Sequence, residues 1–281
     1  MDIESRSARI VDASLYFLPV SMRVPLKFGN QVLTRVICAR CCVKIEGSDG
    51  SMAIGWGETP LSVGWVWPAP ISYEERESVL QTFTKTLTRE FKSFPETGHA
   101  LEIGRAFIEG RLAQLQDSFN AQRSSEGALP HLAALVCFSP LDLALHDAYG
   151  NLQGKPIYET YTSEYLAKDL SAFLEPAEQF KGKFPSDFLE SAPTELPVWH
   201  LVGGLDPISE DELTREEPED GYPTLLSDWI DRDGLNCLKI KLRGDNPDWD
   251  YKRLVAIGEI AQISTFFSTH MMRPMRWSPW R

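Results

Sequence analysis

The chain has 281 residues, 43% of them hydrophobic, and carries 40 acids against 28 bases for a formal net charge of −12. That length allows two domains or one large one with a real core, and the acidic balance argues against a nucleic-acid or anionic-membrane surface. Five cysteines are an odd count in a chain too long to need a disulfide scaffold, which points to a reduced, cytoplasmic setting. The opening MDIESRSARIVDASLYFLP has no signal-peptide pattern, and no stretch is read as the roughly 20 apolar residues of a membrane span.

Residues 8 to 58 read as β-structure: ARIVDASLYFLPV and TRVICARCCVKIEG are rich in β-branched and aromatic residues, GSDGS is a turn, and MAIGWGE is a return strand. Between the first two lies RVPLKFGNQVLT, with Phe28, Gly29 and Asn30 expected at a loop tip. Ser72 and Glu75 make a capping box, and Leu80, Phe83, Leu87 and Phe91 recur at helical spacing behind it. Leu101, Ile108, Leu112, Leu115 and Phe119 mark a second amphipathic helix. A third helical region is expected to break near Phe138, with Ser139 as N-cap and Pro140 as first residue of a new helix. Leu141, Leu145, Ala148 and Leu152 give that helix its buried stripe, and Gly154 then Pro156 stop it.

Residues 159–192 read as a connector with short helices. The pattern then changes to strand, helix, strand, helix: ELPVWHLVGG, YPTLLSDWIDRDG, NCLKIKL and PDWDYKRLVAIGEIAQI, the mark of parallel β/α units. The tail STFFSTHMMRPMRWSPWR has three arginines and no acid, and follows no period.

Local chemistry leaves several readings open. On a strand, Leu238, Ile240 and Leu242 face one side and Lys239 and Lys241 the other, either toward solvent or into a site. A neighbouring ammonium and partial desolvation would each lower a lysine pKa toward a useful base. Val198, His200 and Val202 share a face, so His200 is either a packed core histidine or a substrate contact in a barrel interior. Cys38, Cys41 and Cys42 contain a C-x-x-C spacing without a second ligand pair, and read as strand residues rather than a zinc site. His146 and Asp147 are adjacent on a helix and read as structural.

The ordered set VPLKFGNQVLTR, GWGET, SPLDLALHDAYGNLQGKPIYE, LPVWHLVGG and LKIKL resembles the enolase superfamily, on its mandelate racemase/muconate lactonizing enzyme branch, over residues 8 to 263. The resemblance implies an α+β capping domain followed by an incomplete α/β (TIM-type) barrel. Its segments are a capping domain over 1–158, the connector over 159–192, two β/α units over 193–263 and an atypical tail over 264–281. It implies Mg²⁺-dependent removal of a proton α to the carboxylate of a small substrate, of racemase, cycloisomerase or dehydratase type. By the same resemblance Lys241 is the proton-abstracting base and Lys239 its neighbour facing the substrate carboxylate. Phe28 and Asn30 belong to a capping loop, and Thr59 to a second capping segment.

A complete barrel takes roughly 250 residues, and the chain from Pro193 has room for about two β/α units. The family's metal ligands, acids at the ends of the third to fifth strands, have no counterpart here. The sequence reading is therefore a truncated or frame-shifted member, inactive alone, with no metal ligand of its own. The competing reading is a non-catalytic binding or assembly module built on the capping domain, with a homo-oligomer left open.

Overall fold

The computed structural model describes residues 3–28, 31–214 and 216–261, with the backbone alone at Phe28 and Gln31. The chain falls into two compact units. One is built from Met1–Val20 and Val36–Ser191, the other from Ser21–Arg35 and the chain from Ala192 onward.

The first unit starts with three long strands, β1 (Ala8–Phe28), β2 (Gln31–Gly47) and β3 (Met52–Pro60), and adds a two-residue strand β4 (Thr97–Gly98) in the order β3-β2-β1-β4. β2 and β3 are antiparallel, with Cys42 opposite Trp56 and Glu46 opposite Met52. The strands run further than the sequence suggests. Most of RVPLKFGNQVLT, placed between the first two strands with a loop tip at Phe28, Gly29 and Asn30, continues β1 through to Phe28 and β2 from Gln31. Val24 and Val32 favour the extended backbone, and the long partner strand supplies a ladder for it.

After the short helix α1 (Val63–Val66), α2 (Tyr73–Lys92) forms as its spacing predicts, with Leu80, Phe83, Leu87 and Phe91 fully buried. The Ser72 hydroxyl accepts the Glu75 N–H at 3.1 Å, while the Glu75 carboxylate lies 3.7 Å from Arg123. The second amphipathic stretch is α3 (Ala100–Phe107), one π-helical segment (Ile108–Leu112) and α4 (Ala113–Asn120).

The third helix departs from expectation. α5 (His131–Gln153) is one helix of 23 residues with Pro140 inside it. Proline removes one ladder hydrogen bond, but both flanks are buried: Ala133, Ala134, Cys137 and Phe138 before it, Leu141, Ala144, Leu145 and Ala148 after it. The Ser139 hydroxyl, expected as a cap, is 2.9 Å from the Thr59 hydroxyl instead. By length and composition α5 could cross a membrane, yet 61% of its apolar window is buried within the fold. It lies directly against β3. A Cβ on Gly55 would sit 2.0 Å from the Ala148 amide nitrogen, and one on Gly57 2.3 Å from the Pro140 carbonyl oxygen. Side chains of α5 also satisfy the β3 edge: Asp147 accepts the Trp56 N–H at 2.8 Å, and Asn151 donates to the Ile54 carbonyl at 2.9 Å. The His146 ring nitrogen Nδ1 lies 2.9 Å from the helix's own Asp142 carbonyl. Beyond α5, residues 157–187 carry short 3-10 turns.

The second unit holds β5 (His200–Val202), α6 (Leu226–Asp233), β6 (Leu238–Ile240) and α7 (Pro247–Ala261). β5 and β6 pair in parallel, His200 with Leu238, Leu201 with Lys239 and Val202 with Ile240. Its small core joins Val202, Ile208, Leu226 and Ile257, with Ile230, Leu238, Ile240 and Ile260 packed around them. The tail expected over 264–281 lies outside the described residues.

Candidate active site at the strand ends of the second unit

Side chains alternate along a strand, so the pairing register sorts this small sheet into two faces. His200, Val202, Leu238 and Ile240 turn to the helices. Leu201 and Lys239 turn the other way, and Lys241 follows two residues on. The sorting has a plain cause, since Leu238 and Ile240 are the apolar members of LKIK and must meet the apolar stripes of α6 and α7. The lysines take what is left.

Of the two readings of His200, the register supports the packed histidine over the substrate contact: it faces the helix layer, its ring 5.3 Å from Trp229 of α6. It sits on the face opposite Lys239, as a packed histidine.

The lysines are unequal. Lys239 is exposed and Lys241 half-buried, and the Lys241 N–H continues the ladder by donating to the Val202 carbonyl at 2.9 Å. Partial burial lowers the Lys241 pKa, and the charge of Lys239 lowers it further. Lys239 is the middle residue of the second parallel strand and Lys241 stands just past its C-terminal end, the end where α/β sheets bind ligands.

Two buried side chains of α7, three residues apart, hold the loops that leave these strands. Asp250 accepts the N–H groups of Arg243 and Gly244 at 2.9 and 3.0 Å, fixing the loop after β6. Arg253 donates Nη1 to both Glu212 carboxylate oxygens at 2.9 and 3.0 Å and Nη2 to the carbonyls of Gly203 and Asp206, fixing the loop after β5. Asp206 in turn accepts the Gly203 N–H at 2.7 Å. The sequence marks Asp250 only as an acid in the first turn of a helix and gives Arg253 no role. Their shared orientation follows from the i, i+3 spacing, but their targets do not.

The distal arms of β1 and β2 bring two more cations to the same loops. Arg23 donates Nε to Asp220 at 2.6 Å and Nη2 to Asp220 and to the Tyr222 carbonyl, both at 3.0 Å. Lys27 donates to Asp245 at 2.8 Å. Neither pair is legible in the sequence, where the partners stand 197 and 218 positions apart. The nearest signal is a basic RVPLK segment set against an acid-rich stretch over 209–220.

Of the remaining site residues, the Phe28 side chain and Asn30 lie outside the described residues. Thr59 belongs to the first unit, where its hydroxyl meets Ser139. Its neighbours are equally engaged, Gly57 against α5 and Glu58 with Arg40 at 2.6 Å. The described residues do not fit a metal ion: no group of three or more His, Cys, Asp or Glu among them could hold one. Cys38, Cys41 and Cys42 lie on β2, and they form no disulfide.

No protein-family model and no curated protein matches the chain. Solved structures do. An enolase from Bradyrhizobium complexed with magnesium and mandelic acid matches with a TM-score of 0.50 at 15% identity, over 90% of this chain and 51% of that one. L-talarate/galactarate dehydratase from Salmonella typhimurium LT2, liganded with magnesium and L-lyxarohydroxamate, matches with a TM-score of 0.50 at 14% identity, over 90% and 49%. A dipeptide epimerase from Methylococcus capsulatus, complexed with magnesium and a dipeptide, gives 0.47 at 17% identity, over 90% and 51%. The chain spans about half the length of the solved structures it matches. Over that span it has the fold of these solved structures, an α+β capping domain followed by part of an α/β barrel.

Proposed function

We propose that the second unit carries the base of a carboxylate-enolising enzyme, with Lys241 as the group that removes a proton α to the carboxylate of a small substrate. The observation that carries this is the pair itself: two lysines on the sheet face turned from the helices, the second just past the strand's C-terminal end and partly desolvated. A neutral Lys241 amine takes the proton from carbon and becomes ammonium, and the electron pair left behind delocalises into the carboxylate. Lys239, exposed and charged, faces the anion that forms. In the family such an anion is held by magnesium, and the described residues offer no cradle for that ion. We propose further that the 281-residue polypeptide does not turn over alone, because such catalysis depends above all on electrostatic stabilisation of the enediolate.

Two measurements test this. Reductive ¹³C-methylation of the lysines, followed by NMR against pH, should find Lys241 titrating below the others, and Lys239→Met should move it up. Lys241 titrating with the bulk would remove it as the base. Deuterium exchange at the α-carbon of small carboxylates in the presence of Mg²⁺ should be absent. Exchange that vanishes in Lys241→Ala would overturn inactivity and keep the base, whereas exchange that survives in Lys241→Ala would overturn the base.

One observation favours the alternative, an association module. Tyr16, Met52, Ile54 and Trp56 are each about half exposed, and the Tyr16 and Trp56 rings lie 6.1 Å apart. A defined homo-oligomer in sedimentation that Trp56→Glu dissolves would support it, and a monomer at all concentrations would dismiss it.

A further inference from the structure

The connection from β5 to α6 runs over 203–225, far longer than the two to six residues, roughly, that usually join strand to helix. Loops of this length are generally either functional or disordered. This one is tied down at two places. Its middle is held from below by Arg253 through Glu212. Its end is held by a residue far away in sequence, Arg23 on the distal arm of β1, through the fork onto Asp220 and the third bond to the Tyr222 carbonyl. The guanidinium also lies 5.9 Å from the Trp229 ring, against which Tyr222 is stacked at 6.3 Å. Further along the same strand, Lys27 reaches Asp245 in the loop after β6. Two cations on one strand arm therefore meet two carboxylates, one on each of the loops that leave the C-terminal ends of β5 and β6.

We infer that Arg23 and Lys27 are positioning residues, forming with Asp220 and Asp245 an ionic latch that pins the distal arms of β1 and β2 to the strand-end loops of the second unit. The chemistry suits a latch rather than a permanent strut. All four side chains keep solvent contact, from 19% exposed for Lys27 to 53% for Asp245. Exposed pairs are weak and are screened by salt. The Arg23 contact adds bidentate geometry, which sets direction as well as strength. Val20, just before the arm of β1, is exposed. The latch carries the arms to the end of the sheet where Lys239 and Lys241 stand. Its consequence for substrate capture rests on Lys241 being the base, but the latch itself does not.

Amide hydrogen exchange tests it, compared across wild type, Arg23→Ala, Asp220→Ala and the reversed pair Arg23→Asp with Asp220→Arg. Peptides covering the arms, within 21–35, should exchange at least about threefold faster in either single variant, with peptides of α2 and α5 unchanged. The reversed pair should restore protection. Raising NaCl to about 1 M should accelerate the same peptides in wild type and have little further effect in Arg23→Ala. Equal exchange in wild type and both single variants overturns the latch. So does acceleration spread over α2 and α5, which marks a folding defect, or failure of the reversed pair to restore protection. Lysine titration reads the base assignment and amide exchange reads the latch, so either can fail without the other.

Discussion

His99 should make the first unit acid-sensitive in a defined window. The ring is 1% exposed. Its Nδ1 accepts the Leu101 N–H at 3.0 Å as the N-cap of α3, which leaves Nε2 to carry the proton and donate to the Thr160 hydroxyl at 2.9 Å. That hydroxyl donates onward to the Ile157 carbonyl at 2.6 Å. The Tyr149 and Tyr161 rings enclose the imidazole at 4.4 and 5.5 Å. A second proton would have to enter on Nδ1, breaking the cap and placing a charge among rings. Burial first, and the nearby His146 second, push the His99 pKa down to about 3. Because the folded pKa is depressed, the unfolded chain binds the extra proton below about 6.5. The stability contribution is whole above that pH and is lost as pH falls from about 6.5 toward 3. At pH about 5 the loss works out at about 2 kcal/mol, from a ratio of about 30 in proton binding. Other groups titrate there as well, so the readout is a difference between proteins. Asn caps a helix nearly as well as any residue, and His99→Asn removes the titration while keeping a cap. Urea unfolding of both proteins should show the wild-type advantage at pH about 7.5 shrinking by about 2 kcal/mol at pH about 5. The same gap at both pH values would mean that His99 is not held neutral by its surroundings.

Three further outcomes follow from packing. Gly55→Ala must push α5 off β3, because the new methyl would lie 2.0 Å from the Ala148 nitrogen; we expect a loss of about 1–3 kcal/mol or more in urea unfolding. Asp250→Ala leaves the Arg243 and Gly244 N–H groups without their acceptor, which should cost the second unit about 1–3 kcal/mol and speed amide exchange at both positions. In thiol labelling of the native protein, the partly exposed Cys42 and Cys237 should react. Cys41 and Cys137, whose thiols burial pushes up to about 12, should react only on unfolding, as counted by mass spectrometry.

How far the sequence goes depends on the range of the interaction that decides each feature. The stripe of α2 is legible because Leu80, Phe83, Leu87 and Phe91 report a local period. The two faces of β5 and β6 are half legible: the period separates Lys239 from Leu238, but only the register places His200 with Leu238 on the helix side. Pro140 misleads, since local rules end a helix there and burial on both flanks carries it through. Gly55 and Gly57 read as part of a strand and a capping motif, yet their missing side chains are what lets α5 lie against β3. The latch and the Asp250–Arg253 clamp are invisible in one dimension, because a charged residue in a sequence shows its sign and not its partner.

The structure also ranks the two causes that make Lys241 a weaker cation. From the sequence, crowding by Lys239 and desolvation stand side by side as reasons. In the folded chain desolvation is the larger and the neighbouring charge the smaller. This accords with the exposure of Lys239, whose field is screened by water. The loop that starts immediately after Lys241 is held by Asp250 through the Arg243 and Gly244 N–H groups, and loosening it would open Lys241 to water. Removing Lys239 should therefore raise the Lys241 titration less than loosening the loop with Asp250→Ala does. Lysine NMR on the two variants separates them. If Lys239→Met has the larger effect, the charge pair rather than the clamp sets the Lys241 titration.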